Sequence, residues 1–332
     1  MAMKVITVEE HFATPELMAA WEGLAPEHFD DTVMVYKGPA GVPLLELGEQ
    51  RIAWMDQMGV DVQVLSATTP GVQPVDPGAA RELAIRSNDL LAETVRAHPD
   101  RFQGLALLPT PDPEAAAAEL RRAVGELGLQ GAIAFGRTRE RNIDHPDNEP
   151  ILAAAAELKV PLFLHPQMPQ RGVREAIYSD LPGKMGMAMA SAGVGWHYET
   201  GAQFIRLILS GTLDRHPDLR VILGHWGDLV LFYIEELEVL PKVAEGAIRP
   251  IADYFREHVY VVPSGTLTPR YLPWATEILG ADKLLFGLDY PFVPRKPGDV
   301  ERFFAEAPIG EAEKEQFAGA NWEALVAAGA RA

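Results

Sequence analysis

Residues 5–11 read VITVEEH, an apolar run that turns polar at Glu9, Glu10 and His11. An apolar run of this kind suits a strand buried on both faces, and the polar residues at its C-terminal end then face whatever opens there. Alternation along the strand puts Glu9 and His11 on one face and Glu10 on the other. Three further segments share the design: VPLFLHP at 160–166 with His165, RVILGHW at 220–226 with His225, and LLFGLDYP at 284–291 with Asp289. Nitrogen and oxygen ligands from several strands converge on one point when parallel strands close into a barrel, whose C-terminal face carries the active site.

Eight strand-like segments run along the chain, beginning at Val5, Val60, Phe102, Leu129, Val160, Arg220, Val259 and Leu284. Amphipathic stretches such as ARELAIRSNDLLAETVRAH and PEAAAAELRRAVGELG lie between them. Strict alternation of strand and helix reads as βαβ units, and eight of them predict an α/β fold, a closed (β/α)8 TIM barrel, as one domain over residues 1–332. No GxGxxG follows the first strand, which removes the simplest dinucleotide-binding reading. Two insertions break the rhythm, residues 12–45 after the first strand and 166–197 after the fifth. Both leave strand C-termini, so each is a candidate lid, the Gly-, Met- and Pro-rich second one equally a candidate subunit contact.

With 48% apolar and 23% charged residues, the 332-residue chain has material for a large core. No apolar run approaches the roughly 18 residues of a membrane span, and MAMKVITVEE lacks the features of a signal peptide, so a cytoplasmic protein is expected. A net charge of −18 with no clustered basic residues argues against nucleic acid and anionic membranes as partners. The absence of cysteine excludes disulfides, thiolate nucleophiles and iron–sulfur clusters, so any metal must sit on His, Asp and Glu.

Glu9, His11, His165 and Asp289 supply two carboxylates and two imidazoles on three strand ends. That set suits one Zn²⁺ or Mn²⁺ ion and leaves room for substrate or water. An isolated ExH is often no more than a polar barrel rim; the additional strand-end ligands shift the balance to metal, since a buried carboxylate needs a charge partner. His225, in GHWGD, is assigned acid/base or supporting duty, with Asp228 three residues on as a partner able to fix its tautomer. His197, near a helix start, is expected close to substrate. The other histidines fall in loops or helix ends and receive no role.

These residues resemble the metal-dependent decarboxylases related to the amidohydrolases, a group that includes γ-resorcylate, 2,3-dihydroxybenzoate, 5-carboxyvanillate and aminocarboxymuconate semialdehyde decarboxylases. The resemblance runs from EEHFA at Glu9 through RIAWMDQMGVDVQVLS, VPLFLHP, ETGAQFIRLILSG and LRVILGHWGD to FGLDYPF. It implies a barrel of the metal-dependent hydrolase type in which Glu9, His11, His165 and Asp289 bind one divalent cation, with no organic cofactor. It implies a catalytic His225 partnered by Asp228, and Asp289 as proton carrier. It also offers Arg51 for a substrate carboxylate, against the plainer reading of an exposed helix charge. Phe12, Trp196, Tyr198, Trp226, Tyr290 and Phe292 are candidates to wall an aromatic slot, with ordinary packing as the alternative.

The leading expectation is thus non-oxidative decarboxylation of a hydroxylated aromatic or related unsaturated acid, in a homodimer or homotetramer. The nearest rival uses the same site to hydrolyse a lactone or amide, and a third reading is a barrel that has lost catalysis.

Overall fold

In the computed structural model, which describes residues 3–329 apart from 40, 245 and 247, parallel strands alternate with helices around a barrel. The first strand, Ile6–Phe12, is buried along its whole length, as the apolar run requires. It pairs in parallel with the second, Val62–Ala67, with a bulge between Thr7 and Glu10 where the register shifts by one residue. Bulges beside active sites re-aim side chains, and this one lies at the point where the strand changes from core residues to candidate ligands.

The third strand is split into Phe102–Gly104 and Ala106–Leu107. Its first piece pairs with the second strand and its second piece with the fourth, Ala132–Phe135. Asn88, on the long helix Pro77–Ala97, fixes the kinked strand by donating to Leu107 O at 3.0 Å and accepting from Leu107 N at 2.8 Å. The sheet continues through the fifth strand, Pro161–His165, and the sixth, Arg220–Leu223, to the seventh, Val259–Val261.

The eighth segment departs from expectation. It forms single bridges in place of a ladder, pairing Leu284 with Val261 and Tyr290 with Glu10. Backbone bonds still close the barrel there: Leu285 N to Val261 O at 2.9 Å, Val8 N to Phe286 O at 2.8 Å and Asp289 N to Glu9 O at 2.9 Å. Gly287 explains the close approach, since a β-carbon there would lie 2.5 Å from Val262 and 3.3 Å from Glu9 N. Glu10, facing away from Glu9, adds a side-chain strap by accepting from Leu288 N at 2.9 Å and Tyr290 N at 3.2 Å. Burial pushes the Glu10 carboxyl up to about 8 against these bonds and the nearby Arg51 charge.

Both insertions follow the C-terminal ends of their strands. The first carries the helix Pro15–Glu22, started by Thr14 accepting from Leu17 N, and the short helices Val33–Tyr36 and Gly41–Leu44. Trp21 anchors it by donating to Gly71 O at 2.7 Å and by packing its ring 5.3 Å from Tyr36. The second consists of short turns of helix and a small apolar cluster of Met168, Tyr178 and Ala190. An ion pair between Arg174 and Asp31 joins the two insertions.

Candidate active site

Three of the four expected ligands come together at once. The ligand atoms of Glu9, His11 and His165 lie within 4.8 Å of one another, and all three residues are buried. Each histidine has its other nitrogen engaged: His165 Nδ1 lies 2.8 Å from Pro166 O, and His11 Nδ1 lies 3.5 Å from Ser66 Oγ. The carbonyl bond fixes His165 with its Nε2 lone pair facing the cluster, the tautomer a metal-binding imidazole needs, and the Ser66 contact is compatible with the same tautomer in His11. Burial, with His165 and Arg51 nearby, holds His11 well below the usual imidazole range, so the ring is neutral.

Two buried atoms here, Glu9 Oε1 and His11 Nε2, lack hydrogen-bond partners among the described residues. Orphaned lone pairs on adjacent buried ligands are costly unless something cationic sits between them, so the donor set fits a divalent ion of borderline hardness. Asp289, outside that three-residue group, approaches it from the eighth segment, its Oδ1 3.5 Å from His11 Nε2. Its backbone is left-handed, with φ 59°, which turns the side chain out of strand alternation and toward the first strand. Burial, then the Glu9 and Glu10 carboxylates, raise its pKa well above the usual carboxylate value.

His225 stands on the other side of Glu9, with Nε2 3.6 Å from Glu9 Oε1. Burial, then His197, His165 and His11, hold it well below the usual imidazole range. The expected pairing with Asp228 is corrected: Asp228 Oδ1 lies 3.0 Å from His197 Nδ1. The cause is the backbone, because His225, Trp226, Gly227, Asp228 and Leu229 all have positive φ, and that tight left-handed turn carries Asp228 to the helix Gly195–Leu209. The two imidazoles then pack edge to face with centroids 4.3 Å apart. His197 Nε2 accepts from Trp196 Nε1 at 3.1 Å, and burial raises Asp228 to about 6 against the pull of His197.

The aromatic candidates separate. Phe292 faces the cluster, 5.6 Å from the His11 ring and 5.9 Å from Tyr36. Trp196 reaches the site through His197. Phe12, one residue past His11, alternates to the opposite face and is part of the core. Trp226 is also core, bonded to Thr266 O, and Tyr198 is exposed. Tyr290 packs 4.4 Å from Trp54 with the Arg51 guanidinium 4.5 Å over its ring. Arg51 itself is neither an exposed charge nor turned into the cluster; the helix Glu49–Met58 buries it against the first strand, where it donates to His11 O.

Sequence reading missed three residues that the structure brings in. Ser264, after the seventh strand, bonds both Glu9 and His225; Tyr36, in the first insertion, packs on Phe292; and Arg295 donates to Gly265 O beside Ser264. Ser264 was discoverable, since VYVVPSG also ends an apolar strand in a polar residue. Nothing in the sequence marks Tyr36.

The amidohydrolase family model matches residues 43–326. The gamma-resorcylate decarboxylase of Rhodococcus jostii is 34% identical over 324 residues, spanning 93% of this chain and 94% of its own. The crystal structure of 2,6-dihydroxybenzoate decarboxylase from Rhizobium superposes with a TM-score of 0.84 at 30% identity, covering 98% of this chain and 99% of that one. The 5-carboxyvanillate decarboxylase of Novosphingobium aromaticivorans, solved with manganese and 4-hydroxy-3-methoxy-5-nitrobenzoic acid, gives a TM-score of 0.89 at 28% identity, covering 98% of this chain and 96% of that one.

Proposed function

This chain belongs to the amidohydrolase family, in its branch of metal-dependent decarboxylases, and from that premise we propose that it removes the carboxyl group of a hydroxylated aromatic acid as CO₂. The observation that carries the reading is the pair of orphaned lone pairs, Glu9 Oε1 and His11 Nε2, buried beside the raised carboxyl of Asp289. Glu9, His11, His165 and Asp289 would hold one Mn²⁺ or Zn²⁺ ion, which would supply positive charge to orient an anionic substrate and stabilise charge that develops on it.

The protein side of the reaction is proton delivery and placement. Asp289, whose enclosure favours the protonated form while the charge of a bound cation would oppose it, is placed to carry a proton to the ring carbon that bears the carboxylate. The bond from that carbon to the carboxyl carbon then breaks, CO₂ leaves, and the bonding electrons return to the ring. Water restores the proton to Asp289. Phe292 and Tyr36 offer faces on which an aromatic ring can stack, and Trp196 fixes His197 at the rim. His225, neutral and beside Glu9, is placed to stabilise charge that develops on the substrate. No organic cofactor is required.

The substrate is thus a small carboxylic acid, with neither nucleic acid nor membrane as a partner. Among the described residues no helix is long and apolar enough to cross a membrane. A cytoplasmic homodimer or homotetramer completes the reading; the exposed Phe232, Tyr233, Val239 and Val243 supply an apolar face for it, and light scattering gives the subunit number.

The test is CO₂ release from a hydroxybenzoate panel by manganese-loaded protein, led by 2,6-dihydroxybenzoate and 5-carboxyvanillate, with Asp289→Ala alongside. Release by the wild type, lost in the variant, is expected. Opening of a lactone without any CO₂ would replace decarboxylation with hydrolysis.

A further inference from the structure

Ser264 occupies a position that the decarboxylation scheme does not use. Its backbone is left-handed, φ 47°, a conformation L residues adopt uncommonly, and neighbouring bonds hold it there. Arg295 donates to Gly265 O on one side of it, and on the other Trp226 N donates to Val262 O at 2.9 Å. The result places one hydroxyl between the sixth, seventh and first strands. Ser264 Oγ accepts from His225 N at 2.7 Å and donates its own proton to Glu9 Oε2.

That second bond divides the Glu9 carboxylate. Oε2 is taken, whereas Oε1 has no hydrogen-bond partner among the described residues and faces His165 Nε2 at 3.4 Å and His225 Nε2 at 3.6 Å. Room for the arrangement depends on Gly224, where a β-carbon would lie 2.8 Å from Ser264 Oγ and 3.2 Å from both Glu9 oxygens. We propose that Ser264 is a positioning residue that presents Glu9 to a divalent cation through Oε1 alone and ties that ligand to the backbone of His225. The inference rests on the metal reading above. Ser264 does not touch the reacting atoms; it acts through Glu9 and His225.

Hydrogen bonds behind a metal ligand fix its orientation, and their removal costs about 10–100-fold in metal affinity. The experiment is a titration of metal-free protein with Mn²⁺, followed by the electron paramagnetic resonance signal of the free ion, for wild type, Ser264→Ala and Ser264→Gly. Glycine relieves the left-handed strain that alanine retains, so a defect common to both variants belongs to the lost hydroxyl. Cooperative thermal melting of the metal-free variants confirms that they are folded. The expected result is a manganese dissociation constant raised about 10–100-fold in both variants. In addition, kcat at saturating manganese should fall while KM stays close to the wild-type value, because the substrate does not meet Ser264. Wild-type affinity in both folded variants would overturn this inference alone. Failure of the wild type to bind manganese would take the metal reading with it.

Discussion

Two clusters at the barrel mouth contain the same kinds of residue, one carboxylate and two imidazoles each, yet their polar atoms are employed differently. In Glu9, His11 and His165 the outward nitrogens are tied to Ser66 and Pro166, and the inward atoms include two with no partner. In His197, His225 and Asp228 one carboxylate oxygen, Asp228 Oδ2, also lacks a partner among the described residues, but the imidazole of His197 is used at both ends, by Asp228 and by Trp196. A nitrogen already accepting a hydrogen bond has no lone pair left for a cation. The first cluster therefore reads as a metal site and the second as a hydrogen-bonded relay from Trp196 through His197 to Asp228, with the His225 ring packed against it, although ligand type and proximity alone would admit both.

The largest effect should follow from attacking the first cluster. Glu9→Gln replaces the shared oxygen ligand with a neutral amide, and both metal content and CO₂ release should collapse, the latter by more than about 10⁴-fold if the ion carries the chemistry. Elemental analysis of the purified variant reads this directly; full manganese content would dissolve the distinction between the clusters. His225→Asn should leave the metal in place while kcat falls about 10²–10⁴-fold, the range for loss of a group that meets charge or protons in the transition state. Parallel loss of metal would move His225 into the first cluster. The smallest effect is expected for Asp228→Asn, which keeps the shape and weakens the hold on His197. A drop of about 10–100-fold in kcat with unchanged metal content would sharpen the relay reading, and wild-type kcat would reduce Asp228 to packing.

Much of the first cluster was legible because each ligand closes an apolar strand, and the barrel rule then gathers strand ends to one place. The grouping of Glu9, His11 and His165 needed no more than that, and the same rule brought Asp289 to within 3.5 Å of His11. The second cluster needed backbone geometry that sequence does not display. A run of five left-handed residues from His225 to Leu229 gives Asp228 to His197, whereas spacing alone pairs it with His225. Arg51 shows the same limit in another form. An arginine on an amphipathic helix reads as a surface charge or a ligand hook, and only packing reveals it buried against the His11 carbonyl. The eighth strand was found from its apolar run, but its reduction to single bridges follows from long-range fit around Gly287.

Gly224 also sets a boundary for anyone wishing to change what this enzyme accepts. A methyl group there would collide with the hydroxyl and carboxylate that hold the site in register, so a randomised codon at this position should return the parent residue alone among active clones. New specificity has to be written elsewhere, in the two insertions, where an ion pair and a small apolar cluster leave many more side chains free to vary. The barrel thus separates a frozen interior from an editable rim.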